Sequence, residues 1–186
     1  MINSEGMRKW NAFFNELAIL FDVRGANVSC FGGKPLRQRW AQHLAETASV
    51  PGPMGNKKFH IILADDDPDD CFIFSTMSRE LDNVETTCVN DCNTLLEYLR
   101  NNDPPDLIFL DLNMPILSGQ DCLKQIKEHQ DWKKIPVVVY STASRQEIVD
   151  QCKQLGADLY IVKPTNTANL KNAITFAITE LLRHHS

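Results

Sequence analysis

From residue 58 onward, short apolar or β-branched segments alternate with longer segments of mixed polarity. Segments of four to six such residues are typical of strands buried on both faces of a sheet. They predict strands at His60–Ala64, Val84–Val89, Leu107–Leu110, Pro136–Tyr140 and Leu159–Val162. The segments between them carry apolar residues at helical spacing. These predict helices at Cys71–Leu81, Asn93–Leu99, Gly119–His129, Gln146–Leu155 and Ala168–Arg183.

Strict alternation of strands and helices has one common solution among known folds. It places the strands parallel in one sheet and the helices on both faces. The predicted fold class is therefore α/β, a five-stranded parallel sheet that is doubly wound in the flavodoxin-like manner, with five helices. In such folds the functional crevice lies at the carboxyl ends of the strands.

A segment rich in proline and glycine, Ala48–Lys58, separates this pattern from the beginning of the chain. It reads as a linker, which divides the chain into an N-terminal extension, residues 1–57, and a main domain, residues 58–186. Three interpretations of the extension stay open. It is an amphipathic helix that binds a partner or dimerises, an ordered extension packed on the domain, or a segment outside the natural protein with Met54 as translation start.

The distribution of charged residues limits the kinds of molecule that the main domain can bind. The chain carries 24 acidic and 19 basic side chains. Only 4 of the acidic but 7 of the basic ones lie in residues 1–57, so the acidic excess belongs to the main domain. Such a domain repels phosphate backbones and is a poor binder of nucleic acid. No apolar run approaches the roughly 20 residues of a membrane-spanning helix, so we expect no membrane insertion.

The six cysteines form no Cys-x-x-Cys pair and no zinc-ligand spacing. Free cysteines among apolar neighbours behave as small hydrophobic residues. We therefore expect free thiols in a reducing compartment, with the protein in the cytoplasm.

Polar residues follow four of the predicted strands at the point where each strand ends. In chain order they are Asp65-Asp66-Asp67, Asp111, Ser141-Thr142 and Lys163-Pro164. Because the carboxyl ends of parallel strands meet at one edge of the sheet, these side chains are expected in a single crevice. Clustered carboxylates repel each other unless a cation compensates them. Mg²⁺ prefers such oxygen ligands and leaves room for a phosphate, so the set fits phosphoryl transfer.

A less specific interpretation exists for each position taken alone. An aspartate after a strand is often the N-cap of the next helix, a role open to Asp67 or Asp69. Lys163-Pro164 is equally suited to a surface turn. Four such positions at four strand ends of one sheet favour the crevice.

Four segments carry a resemblance to a known family: IILADDDPDD, LIFLDLNMPILSG, VVVYSTA and ADLYIVKP. With these motifs in this order, the chain from His60 to about Arg183 resembles the CheY-like receiver domain of bacterial response regulators. It is similar to the stand-alone, single-domain type of two-component systems.

The resemblance implies a role for each matching residue. Asp111 would be the phospho-acceptor, which takes a phosphoryl group from a histidine kinase or phosphotransfer protein. Lys163 would pair with Asp111 and then with the phosphoryl oxygens. Ser141 would turn to bond the phosphoryl group, and Tyr160 would move inward when that hydroxyl leaves. The last strands and helices would then switch for partner binding.

The resemblance also implies a Mg²⁺ site. Asp66 and Asp111 would be direct ligands, Asn113 would offer its backbone carbonyl, and Asp65 would act through a water molecule. With Asp67 adjacent, the position of the acidic pair stays open by one residue. Three further positions would shape the site: Pro164 as a cis-proline that aims Lys163, and Pro115 and Gly119 in the loop after the acceptor.

Three functional hypotheses remain at this stage. The first is a phosphoprotein of phosphorelay signalling that is not an enzyme beyond Mg²⁺-dependent self-phosphorylation and slow hydrolysis of its own aspartyl phosphate. It would act on an unknown downstream protein, with a homodimer open. The second is a Mg²⁺-dependent phosphatase of the haloacid-dehalogenase type. This class needs a general acid at the position of Asn113, and asparagine cannot serve as one. The third is a receiver scaffold that is not phosphorylated.

Overall fold

The structure, a computed structural model, describes residues 58–81 and 83–182. The interpretations of residues 1–57, and the predicted helix end at Arg183, lie outside these ranges. The apolar segments form five strands. They are β1 (Phe59–Ala64), β2 (Val84–Val89), β3 (Leu107–Leu110), β4 (Val137–Ser141) and β5 (Leu159–Val162). Each predicted strand is confirmed to within one residue at either end.

The intervening segments form five helices. They are α1 (Pro68–Arg79), α2 (Cys92–Asn101), α3 (Gly119–Glu128), α4 (Gln146–Gln154) and α5 (Thr167–Leu182). The largest departure from prediction is α1, which begins three residues before the expected Cys71. Asp67 caps this helix by accepting from the backbone N–H groups of Asp69 and Asp70, and Pro68 takes the first helical position. Both are favoured helix-start features that apolar periodicity does not register.

All strands pair in parallel, in the order β2-β1-β3-β4-β5. The chain moves outward from β1 to β2, returns to β3 on the other side, and then continues to β5. The point where the order reverses lies between β1 and β3, whose last residues Ala64 and Leu110 are register partners. Ligands of open parallel sheets bind at this kind of switch point. The doubly wound fold is thus confirmed, and it places the crevice at the ends of β1 and β3.

Helices cover both faces of the sheet. On one face, the rings of Phe74, Phe109 and Tyr140 meet edge to face, with centroids 4.9 to 6.0 Å apart. On the other face, α2, α3 and α4 bury Leu95, Leu123 and other apolar residues against the sheet. Because both faces are dry, the polar residues that follow the strands have only the sheet edge open to them. None of the helices in the described ranges is long and apolar enough to cross a bilayer.

The loop after β3 contains a strained residue that the sequence did not predict. Leu117 N–H donates to the carbonyl of Pro115 at 2.8 Å, which closes a three-residue turn around Ile116. Ile116 has a φ of +71° and its side chain is 87% exposed. A γ-turn with positive φ is rare and strained, most of all for a β-branched residue.

We therefore expect Ile116→Gly to be more stable than Ile116→Ala by about 1 kcal/mol, because only glycine adopts positive φ without steric cost. Urea unfolding of the two variants measures this difference. The same pair of substitutions at Ile73, which lies within α1, is the control and should give the opposite order, since alanine favours a helix. An Ile116→Ala variant as stable as Ile116→Gly would contradict the turn.

Candidate functional site

Two buried carboxylates lie at the carboxyl ends of two neighbouring strands. Asp65 follows β1 and Asp111 follows β3, and both are almost fully buried. Their backbones extend the sheet by one more step: Asp111 N–H donates to Ala64 O, and Asp65 N–H donates to Val89 O, each at 2.9 Å. The sheet ladder therefore fixes both carboxylates at the switch point.

A group of three carboxylates lies close enough to hold one cation. An oxygen of each of Asp65, Asp66 and Asp111 lies within 4.8 Å of the others, with Asp66 exposed. Asp67 is outside the group because its carboxylate caps α1. Asp65 and Asp66, but not Asp67, therefore lie with Asp111, and the N-cap interpretation holds for Asp67 alone among the three.

Lys163 is the cation at the centre of the cluster. Its Nζ lies 2.8 Å from Asp111 Oδ2, 2.7 Å from Asp65 Oδ2 and 2.7 Å from Asp70 Oδ2. The contacts with Asp111 and Asp70 have hydrogen-bond geometry. The backbone N–H of Lys163 donates to Ser141 O at 2.9 Å, which anchors the residue beside β4.

Burial and charge pull the pKa values of this cluster in different directions. Burial raises the pKa of Asp65 above its usual value, although the Lys163 ammonium opposes this. Burial alone would lower the pKa of Lys163, but the surrounding carboxylates outweigh it and raise that pKa. Lys163 is therefore a permanent cation in the pocket.

Asp70 is a site residue that sequence reasoning missed. It lies in the first turn of α1 and reaches across to Lys163, 93 residues away in the chain. The predicted helix began only at Cys71, which left Asp70 in a loop of unknown direction. The Asp67-Pro68 pair was the available signal, because a cap followed by proline starts a helix there.

The two residues expected to act as a switch each contact the backbone of Ala143, through different atoms. Ser141 is fully buried at the end of β4, and its Oγ accepts from Ala143 N–H at 3.4 Å. Tyr160, in β5, is buried and donates its hydroxyl to Ala143 O at 2.7 Å. Burial raises the pKa of Tyr160 to about 12, which keeps it a donor. Both side chains thus hold the same point of the β4–α4 loop.

The loop after β3 surrounds Asp111. Asn113 N–H donates to Asp111 Oδ1 at 3.1 Å, and its side-chain amide donates to Thr142 Oγ1 at 3.4 Å. Pro115 supplies the carbonyl of the strained turn. Gly119 begins α3 so close to the backbone of Asp111 that a Cβ would lie 2.1 Å from the Asp111 carbonyl oxygen. Only glycine fits there.

The expectation of a cis peptide bond before Pro164 is wrong. The described residues contain no cis peptide bond. The trans form is the lower-energy one for most X–Pro bonds. Lys163 is instead directed by its backbone bond to Ser141 and by the three carboxylates around its ammonium.

The ligand atoms available in this group fit a hard divalent cation. They are carboxylate oxygens, which Mg²⁺ and Mn²⁺ prefer. Asp65 Oδ2 is buried and accepts no hydrogen bond of good geometry, despite its close ion pair with Lys163. An unsatisfied buried oxygen is costly, and a cation with its bound water would satisfy it.

Comparison with known proteins identifies the family. Residues 61–175, more than half of the chain, match the sequence model of the response regulator receiver domain. The chain therefore belongs to the CheY-like receiver domains of two-component response regulators.

Two relatives illustrate how far the likeness extends. Chemotaxis protein CheY-3 of Vibrio cholerae is 32% identical over 126 residues, which cover 64% of this chain and 91% of the relative. Two-component response regulator ARR3 of Arabidopsis thaliana is 29% identical over 129 residues, which cover 64% of this chain but 55% of the relative. This chain thus spans about half the length of ARR3.

Solved structures show the same architecture. The phosphorylated cyanobacterial phytochrome response regulator RcpA has a TM-score of 0.63 and 29% identity, covering 68% of this chain and 96% of RcpA. The Mn²⁺-bound form of response regulator Rcp1 has a TM-score of 0.60 and 26% identity, covering 65% of this chain and 92% of Rcp1.

Gly119→Ala is expected to lower the free energy of unfolding by about 1–3 kcal/mol, because the added methyl group clashes with the backbone of Asp111. Without that clash, alanine would stabilise the first turn of a helix. Denaturant unfolding measures the change. Gln120→Ala, one position along, is the control and should change stability by less than about 0.5 kcal/mol. A Gly119→Ala variant of unchanged or higher stability would show that the loop does not pack as described.

Proposed function

We propose that Asp111 accepts a phosphoryl group from a phosphohistidine of a histidine kinase or phosphotransfer protein, in the presence of Mg²⁺. The observation that carries this proposal is the placement of one buried carboxylate between a lysine ammonium and two further carboxylates at 4.8 Å or less. The ammonium, together with a divalent cation held by the carboxylates, would neutralise charge where a phosphoryl group would develop it.

Asp111 is the nucleophile of the proposed transfer. A carboxylate oxygen forms a bond to phosphorus as the phosphorus–nitrogen bond of the donor breaks, and the imidazole leaves with that electron pair. Lys163, already 2.8 Å from Asp111, binds phosphoryl oxygens as they arrive. Asn113 N–H orients the acceptor through Oδ1.

Mg²⁺, when bound, would neutralise part of the phosphoryl charge. Asp66 and Asp111 would hold it directly, Asn113 would offer its carbonyl, and Asp65 would act through a bound water molecule. The Mn²⁺-bound form of Rcp1 supports a divalent cation, and the phosphorylated RcpA supports a covalent phosphoryl state.

The output is a change of surface rather than turnover of a separate substrate. Ser141 would give up its contact with Ala143 and bond the phosphoryl group. Because Tyr160 holds the same Ala143, loss of one contact alters the packing of the other. Such a shift between two packings would expose or hide a face for a downstream protein. The proposed setting is the cytoplasm, and the aspartyl phosphate would hydrolyse slowly.

Incubation with Mg²⁺ and phosphoramidate is expected to add about 80 Da, one phosphoryl group, to the intact protein. The added mass should be absent from Asp111→Asn, because the amide is not a nucleophile. Intact-mass spectrometry makes the measurement. Asp103→Asn removes an equal charge from an exposed position and should gain the mass as the native chain does. A gain of mass in Asp111→Asn would exclude Asp111 as the acceptor.

Asp66→Asn is expected to weaken Mg²⁺ binding at least about tenfold, because a direct carboxylate ligand is replaced by a neutral amide. Isothermal titration calorimetry of the unphosphorylated protein measures the affinity. Asp67→Asn is the matched control: it removes the same charge one residue away, and asparagine still caps α1. Equal weakening in both variants would show a general charge effect and not a ligand at Asp66.

A further inference from the structure

The Lys163 ammonium has one partner that differs from the others. Asp65 and Asp111 follow strands, and their side chains are 0% and 6% exposed. Asp70 comes from α1 on the rim of the pocket, and its side chain is 36% exposed. Nevertheless, it accepts a directed hydrogen bond from Lys163 at 2.7 Å, whereas buried Asp65 has only an ion-pair contact.

A lysine ammonium has three N–H groups, and the structure already directs two of them at Asp111 and Asp70. Phosphoryl oxygens on Asp111 need donors from the same ammonium. Asp65 and Asp111 lie at the ends of paired strands and are almost fully buried, so losing the lysine would remove a compensating charge from two buried carboxylates. Asp70 is partly hydrated, and losing an ion pair at that exposure costs little. Asp70 is therefore the carboxylate whose contact with Lys163 costs least to lose.

We propose that Asp70 is a positioning residue that competes with the phosphoryl group for the Lys163 ammonium and so restrains phosphorylation of Asp111. The restraint acts through Lys163, because Asp70 is not among the three carboxylates grouped for a cation. A phosphodonor must therefore bind strongly enough to draw the Lys163 ammonium away from Asp70. This regulation rests on the proposed function of Asp111.

The test compares Asp70→Asn with Asp69→Asn in the full chain. Both substitutions remove one negative charge from the first turn of α1, but Asp69 contributes only its backbone N–H to the contacts described. The rate of phosphorylation by phosphoramidate at saturating Mg²⁺ is followed by intact mass. We expect Asp70→Asn to be faster by about two- to fivefold, the factor that corresponds to a partly exposed ion pair. Asp69→Asn should react at the native rate.

Two further measurements separate positioning from a structural effect. Asp70→Glu keeps the charge and should return the rate toward the native value. In the unphosphorylated protein, the ¹⁵Nζ resonance of Lys163 should move in Asp70→Asn but not in Asp69→Asn, and this readout needs no phosphoryl transfer. The proposal fails if Asp70→Asn reacts at or below the native rate, or if Asp69→Asn is accelerated equally. No phosphorylation of the native chain would overturn the proposed function itself, whatever the resonance shows.

Discussion

One ammonium group holds the functional end of this molecule together. Lys163 lies within 2.8 Å of three carboxylates that come from three different elements. Burying Asp65 and Asp111 so close together would be strongly unfavourable without a cation between them. The lysine makes that burial tolerable and ties β5 to the ends of β1 and β3. A phosphoryl group entering the pocket would therefore compete with these carboxylates for the same lysine.

The rest of the fold keeps these groups in register. Parallel pairing places the ends of β1 and β3 side by side, and each first loop residue continues the ladder. Gly119 lets α3 begin against the backbone of Asp111. On the other side of the pocket, Ser141 and Tyr160 both contact Ala143. The same loop is thus connected to the core and to the end of β4.

The sequence predicted the sheet well because buried parallel strands are continuous apolar runs between polar residues, and β2, β3 and β5 match to the residue. The crevice followed from topology, since any polar residue after such a strand must lie at its carboxyl edge. The start of α1 was less accurate, because this helix is begun by the Asp67 cap and Pro68 and not by an apolar residue. That error concealed Asp70, whose partner is distant in sequence and therefore not visible in any local pattern.

Backbone conformation was the second feature that was poorly predicted from the sequence. The residue types do not predict the positive φ at Ile116, because that conformation usually belongs to glycine or asparagine. The trans bond before Pro164 likewise contradicts an expectation that came from family resemblance and not from the residues.

The most direct measurement is borohydride reduction of the protein after exposure to Mg²⁺ and phosphoramidate, followed by peptide sequencing in a mass spectrometer. Hydride converts an aspartyl phosphate to homoserine, so the acceptor is marked covalently. We predict homoserine at position 111 and nowhere else in the chain. Homoserine at another aspartate, or none after a verified gain of phosphoryl mass, would contradict the central role of Asp111.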